Sequence, residues 1–335
     1  MRRLEQGTAS HTRRVRRRAP GHMSDNGRVS RSSTAALRPR LPSPLADVDD
    51  DRFARHGVRL LLKRDDLIHP DLIGNKWRKL APNLAAAQGR ALVTFGGAYS
   101  NHLRATAAAG RLLGVPTLGI VRGHELADRP LNPSLTRCTA DGMRLHFIDR
   151  STYREKGDPA VLAALLDAAS AADSFVVPEG GSNALAVRGC AELGRELQDH
   201  ADVVGLACGT GGTLAGLAAG LSPGQRAIGV SVLKGDFLTA DVRALQEEAF
   251  GGPRGDWRVE ERFHFGGYAR VPAELAAFAD DFEQRHGLPV ERLYVAKMLY
   301  ALVALTEAGA FAPDTTLAAV ISGAPFEDAQ SSTSR

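Results

Sequence analysis

Short apolar runs alternate with longer stretches whose apolar residues recur every three to four positions, from about residue 58 to the far end of the chain. Residues 58–63, 91–95, 115–121, 144–148, 174–177, 203–207, 227–232 and 316–321 read as strands. Residues 76–87, 102–113, 159–171, 184–197, 212–220, 273–286 and 294–308 read as helices, with Pro159 in a first turn and Asp158 as its cap. Between 121 and 144 the pattern predicts a long loop, and after 232 an acidic, irregular region. Strands alternating with helices form mostly parallel sheets covered by helices, so the fold class is α/β. One stretch tests that assignment, because residues 203–221 hold nineteen positions without a charge, the length of a membrane span. Gly209, Gly211 and Gly212 cluster in its first half, where they would break a lipid-exposed helix. The stretch therefore reads as strand, turn and helix, and no membrane partner is expected.

The 335 residues, 44% of them apolar, suffice for one large or two medium domains. Cys138, Cys190 and Cys208 are widely spaced and form no CxxC pair, which argues against a disulfide framework or structural zinc and for a reducing cytoplasm. The formal charge of +4 conceals a split: residues 1–40 carry eleven arginines against Glu5 and Asp25, a local +9 that leaves −5 on the remainder. The lead is rich in serine and poor in apolar residues, so 1–38 reads as a disordered basic extension, with Met23 as an alternative start. Its run Arg13-Arg14-Val15-Arg16-Arg17-Arg18 also fits a transit peptide or a nucleic-acid contact, and a nucleic-acid partner would rest on this lead alone.

Two glycine-rich strand exits carry the candidate chemistry: Phe95-Gly96-Gly97-Ala98-Tyr99-Ser100-Asn101-His102 and Cys208-Gly209-Thr210-Gly211-Gly212-Thr213. In the second, small residues let main-chain N–H groups approach phosphate oxygens, Thr210 and Thr213 add hydroxyls, and the following helix dipole favours a dianion. The segment lacks a Walker ending and is not GxGxxG, so nucleoside triphosphates and dinucleotides are poor candidates. An ordinary strand-to-helix turn explains the same glycines equally well. Ahead of both exits, Lys76 stands at a predicted helix start, in a chain with 6 lysines against 36 arginines. An amine deprotonates and forms a Schiff base, which a guanidinium does not, and Asn75 and Trp77 suit a partly desolvated amine. Ser100 and Asn101 are also ordinary helix caps, and Tyr268 and Tyr294 ordinary packed aromatics. His102 lacks the spaced partners of a metal site, so no metal is expected.

Taken together these segments resemble the 1-aminocyclopropane-1-carboxylate deaminase and D-cysteine desulfhydrase family, fold-type II pyridoxal-phosphate enzymes related to the tryptophan synthase β chain. The likeness runs from Leu41-Pro42-Ser43-Pro44-Leu45 through Gly74-Asn75-Lys76-Trp77-Arg78-Lys79-Leu80 and Pro178-Glu179-Gly180-Gly181-Ser182-Asn183 to Gly323. It implies pyridoxal 5'-phosphate in Schiff-base linkage to Lys76, with Asn101 on its phenolic oxygen and Gly209, Thr210, Gly211, Gly212 and Thr213 on its phosphate. It implies catalytic roles beside a small amino-acid substrate for Ser100, Tyr268 and Tyr294. It also implies a two-domain homodimer, with 39–80 and 188–325 as the large cofactor-binding domain, 81–187 as the small one, and 326–335 as a tail. Two departures stand out. No acid follows Tyr294, where Val295 sits, and the closing segment is Ile321-Ser322-Gly323-Ala324, in which Ser322 would serve the pyridine nitrogen with a neutral hydrogen bond. The implied activity is a lyase or hydrolase reaction that releases ammonia and a 2-oxo acid, with β-elimination ahead of ring opening. The alternatives are a cofactor-binding protein without turnover and, through the arginine-rich lead, a nucleic-acid binder.

Overall fold

The computed structural model describes residues 37–72 and 74–326. Residues 1–36 of the expected basic extension and 327–335 of the expected tail lie outside them. The strands are β1 (Leu45–Val48), β2 (Arg59–Lys63), β3 (Leu92–Gly96), β4 (Thr117–Arg122), β5 (Met143–Ile148), β6 (Phe175–Val177), β7 (Val203–Cys208), β8 (Arg226–Ser231), β9 (Asp256–Glu260) and β10 (Thr316–Val320). The helices are α1 (Asp51–Ala54), α2 (Lys76–Ala87), α3 (Asn101–Leu113), α4 (Pro133–Ala140), α5 (Arg150–Arg154), α6 (Pro159–Ala168), α7 (Ala184–Arg195), α8 (Gly212–Gly220), α9 (Leu238–Phe250), α10 (Ala273–His286) and α11 (Val295–Glu307). One sheet runs β1-β2-β10-β7-β8-β9 and the other β5-β4-β3-β6. β1 is antiparallel to β2, and the other described pairings are parallel.

The apolar strands are buried on both faces, as parallel sheets between helix layers require. Along β2, Leu60 and Leu62 join the core beneath α10 and α11, while Leu61 points the other way, into the core beneath α7, α8 and α9. β7 splits likewise, with Val203 and Ala207 on the first face and Val204 and Leu206 on the second. Residues 203–221 thus form β7, a turn and α8. Among the described residues no helix is long and apolar enough to cross a membrane.

Two close approaches bring the site together. A Cβ on Gly216 would lie 2.2 Å from the Val187 carbonyl oxygen, and one on Gly220 2.0 Å from that of Ala191, so α7 and α8 pack main chain to main chain. Gly74, at φ +66°, turns the chain into α2 where a Cβ would lie 1.7 Å from the Ser322 carbonyl oxygen. That oxygen accepts from Asn75 N at 3.0 Å, tying the start of α2 to the exit of β10.

Besides β1, α1 and α5, which the pattern does not mark, three regions depart from it. The loop after β4 contains α4, capped by Asn132 with Pro133 in its first turn. The region taken as irregular contains α9 and β9. In α9 a core position falls to Gln246, which is fully buried and donates to the carbonyls of Ala215 and Arg254 while accepting from Arg254 N and Trp257 Nε1. A polar residue at a core position breaks the apolar periodicity that would have marked the helix. The expected helix 159–171 stops at Ala168, just before Ser170 enters the left-handed region at φ +52°.

Candidate active site

The carboxyl ends of both sheets open on one cavity of about 550 Å³, the place where α/β sheets generally bind ligands. Lys76, Ser100, Asn101, Gly209, Thr210, Gly211, Thr213, Tyr268, Tyr294 and Ser322 all line it. Gly212 is the buried first residue of α8, behind the lining. The two glycine-rich exits and the lysine, far apart in the chain, therefore meet in one place.

Lys76 is the first residue of α2. Its Nζ donates to Asn75 Oδ1 at 3.0 Å, and Asn75 Nδ2 donates to Thr213 Oγ1 at 3.0 Å. Asn75 so links the amine directly to the glycine-rich turn. Burial, with the nearby ammonium of Lys79 as the next cause, brings the Lys76 pKa down to about 7. A large fraction of the amine is then neutral and nucleophilic at neutral pH.

The turn after β7 forms a cradle of main-chain amides, with Gly211 at φ +75° opening it. A side chain at the helix start would spoil it, since a Cβ on Gly212 would lie 2.6 Å from Ser182 Oγ, while Gly209 packs against the Tyr294 ring. Lys79 supplies the positive charge. Its Nζ donates to Gly180 O at 3.1 Å and Ser182 Oγ at 3.0 Å, and Ser182 Oγ lies 2.6 Å from Thr210 Oγ1. Nothing anionic pairs with Lys79 among the described residues. The combination of a glycine cradle, a flanking ammonium and a near-neutral amine fits an aldehyde that carries a phosphate.

Across the cavity, Ser100 caps α3 by accepting from Leu103 N. Asn101 Oδ1 accepts from Arg104. Behind it, Thr94 gives its only hydroxyl proton to the Val177 carbonyl at 2.8 Å, so its oxygen accepts from His102 Nε2, also 2.8 Å away. Burial, with Lys76 and Lys79 beside it, holds the His102 pKa well below the ordinary value, so the ring is neutral.

The third wall is aromatic. The rings of Tyr268 and Tyr294 meet edge to face with centroids 5.7 Å apart, and burial raises both phenol pKa values, so both hold their protons at neutral pH. Glu291, three residues before Tyr294, accepts from the N–H groups of Leu293, Tyr294 and Val295 and also lines the cavity. Burial raises its pKa despite those three donors.

The family model described as pyridoxal-phosphate dependent enzyme matches residues 39–323. The chain belongs to the pyridoxal-phosphate dependent enzyme family. A mitochondrial bifunctional D-cysteine desulfhydrase/1-aminocyclopropane-1-carboxylate deaminase of Arabidopsis thaliana is 30% identical over 270 residues, 74% of this chain and 67% of that one. A D-cysteine desulfhydrase of Klebsiella pneumoniae is 29% identical over 289 residues, 78% of this chain and 85% of that one. The crystal structure of a 1-aminocyclopropane-1-carboxylate deaminase homologue superposes with TM-score 0.72 at 25% identity, covering 88% of this chain and 94% of that one. As a pyridoxal-phosphate enzyme the chain uses that cofactor.

Lys79 and Glu291 escaped the sequence reading. Lys79 lies one turn beyond Lys76 on the same helix, and a second lysine at that spacing in a lysine-poor chain was the available signal. Lys79→Met is expected to weaken capture of pyridoxal phosphate by about 10- to 100-fold, the effect of losing one charged hydrogen bond. It also removes a like charge beside Lys76. In the wild-type apoprotein the capture rate should rise with pH to half its maximum near pH 7, and in Lys79→Met that midpoint should move upward. Stopped-flow absorbance across a pH series reads both effects.

Proposed function

We propose that this enzyme is a lyase or deaminase that converts a small amino acid to ammonia and a 2-oxo acid, with D-cysteine desulfhydrase-like β-elimination ahead of 1-aminocyclopropane-1-carboxylate deaminase-like ring opening. The observation that carries the reading is the linked set Lys76–Asn75–Thr213, facing Ser100 and the tyrosine pair across one cavity. Asn101 and the 209–213 cradle, with Lys79, would hold the cofactor at its phenolic oxygen and phosphate, and Ser322 would serve its ring nitrogen. When bound, pyridoxal phosphate supplies a carbon that takes an amino group and a ring that draws electron density from Cα.

The chain's own residues do the rest. The N–H groups at the start of α3 take the substrate carboxylate, and Ser100 orients its Cβ substituent. Lys76 Nζ removes the proton from Cα, for which a pKa near 7 is well matched. Tyr294 and Tyr268, protonated at neutral pH, donate to the leaving group on Cβ. Ring opening offers no Cα proton to remove and would call on the tyrosines or Ser100 instead, acting as acid or nucleophile. In this reading the two sheets are the cores of a large domain, 39–80 with 188–325, and a small one, 81–187. The protein works as a homodimer, as the family resemblance implies. The free, buried state of Cys138, Cys190 and Cys208 is in keeping with a cytoplasmic setting.

The test is a panel of D- and L-amino acids plus 1-aminocyclopropane-1-carboxylate, assayed for 2-oxo acid with cofactor added. Turnover of D-cysteine or a similar β-substituted amino acid is the expected result. A protein that takes up the cofactor yet yields no oxo acid from any member of the panel would instead be a binding protein without turnover.

A further inference from the structure

Lys297, in the first turn of α11, is fully buried, and its ammonium meets main-chain oxygens rather than a carboxylate. Its Nζ donates to the carbonyls of Gly267 at 2.8 Å and His264 at 3.0 Å, with those of Tyr268 at 3.4 Å and Val232 at 3.5 Å completing the shell. Among the described residues no carboxylate forms an ion pair with it. Three of the four oxygens come from one short loop, and the fourth from the exit of β8. Carbonyl oxygens converging in this way repel one another unless a positive charge sits between them.

The loop's backbone is built to aim them. Phe265, Gly266 and Gly267 lie successively at φ +52°, +85° and +125°, and a left-handed conformation at a phenylalanine is costly. The Phe265 ring is pinned edge to face on Tyr300, 5.1 Å between centroids. The residue that ends the loop is Tyr268, whose ring meets Tyr294, and Tyr294 lies one helical turn before Lys297.

We infer that Lys297 is a built-in cation, occupying a cage of main-chain carbonyls where a small monovalent ion would otherwise be needed, and that it is the positioning residue that holds Tyr268 against Tyr294. Its ammonium answers the four oxygens, fixes the 264–268 loop and couples that loop to the helix start that carries the second tyrosine. The proposed catalytic role of Tyr268 rests on the reading above, but the cation cage is testable without turnover.

The experiment is hydrogen–deuterium exchange of the peptide covering 262–270 in full-length holoenzyme. It compares wild type, Lys297→Ala and Lys297→Met in tetramethylammonium chloride and in ammonium or potassium chloride at equal ionic strength. In Lys297→Ala the loop amides are expected to exchange about tenfold faster or more. Ammonium or potassium, which fit the vacated space, should slow them again, and tetramethylammonium, which is too large, should not. Lys297→Met, whose side chain fills the space without charge, should exchange fast in every salt, while wild type should be indifferent to the salt. Unchanged exchange in Lys297→Ala, or equal protection by all the salts, would overturn the inference. If Lys297→Ala does not fold, Lys297→Gln is combined with Tyr268→Phe and kcat is compared on a substrate identified by the panel. The two losses should overlap, because both act through one phenol, and losses that simply multiply would count against the proposal.

Discussion

Lys76→Ala is expected to reduce turnover by roughly 10⁴-fold or more, the scale of losing a group that both bonds covalently and moves a proton. The protein should remain folded. Lys76 is only half-buried, its one described hydrogen bond is to its neighbour Asn75, and alanine suits the first turn of a helix. Lys76→Arg sharpens the test. It keeps a positive charge at the mouth of the cradle, yet a guanidinium neither condenses with an aldehyde nor gives up a proton at neutral pH. Both variants should lose the cofactor's visible absorbance and fail to form oxo acid, while their urea midpoints stay near that of wild type. If Lys76→Arg retained the absorbance band, the amine at this position would not be the attachment point.

The sequence made this site legible to the extent that its residues had no cheaper structural use. Glycines at 209, 211 and 212, directly after an apolar strand, fit an ordinary turn as well as a phosphate cradle, and it was their company with Lys76 and the first glycine-rich exit that favoured the cradle; the structure sets that turn against Ser182, Tyr294 and Lys79. The alternation of strand and helix was equally plain wherever both faces of a strand are covered, as in β2 and β7. What stayed hidden is polar groups put to buried use. Gln246 fills a core position of α9, so that helix lost its apolar period. Nothing in the residues around Lys297 says that the fold will bury it, since lysines ordinarily sit in water. Glu291 is enclosed by the N–H groups of Leu293, Tyr294 and Val295, which the sequence alone does not announce. Such groups acquire their meaning from contacts across distant parts of the chain, and no window of sequence contains them.

Arg78→Met is expected to cost about 3–5 kcal/mol of stability at neutral pH, the typical effect of removing one partner from a buried ion cluster. Arg78 lies between Lys76 and Lys79 on α2. It donates through Nε and Nη2 to Asp65 at 2.8 Å each, and through Nη1 and Nη2 to Glu196 at 2.9 and 2.8 Å. Lys63 closes the cluster on Glu196 at 2.7 Å, and the side chains of Arg78 and Asp65 are 1% and 0% exposed. Without the guanidinium, two buried carboxylates would face the single remaining ammonium, and the helix that presents Lys76 would lose its polar anchor.

The pH dependence gives that prediction a sign. In the wild-type protein burial works to raise the Glu196 pKa, but Arg78 and Lys63 outweigh it and hold it below 4.5. Its stabilising contribution is therefore present above pH 4.5 and is lost as pH falls through the lowered folded value. In Arg78→Met the balance reverses, because burial without the guanidinium raises the folded pKa, and acid then relieves the unpaired charge. Urea midpoints followed by circular dichroism should differ most near pH 7 and converge towards pH 4. Arg78→Lys, which keeps the charge but cannot grip both carboxylates at once, should fall between the two. A gap that stayed constant with pH would mean that the guanidinium acts through packing alone.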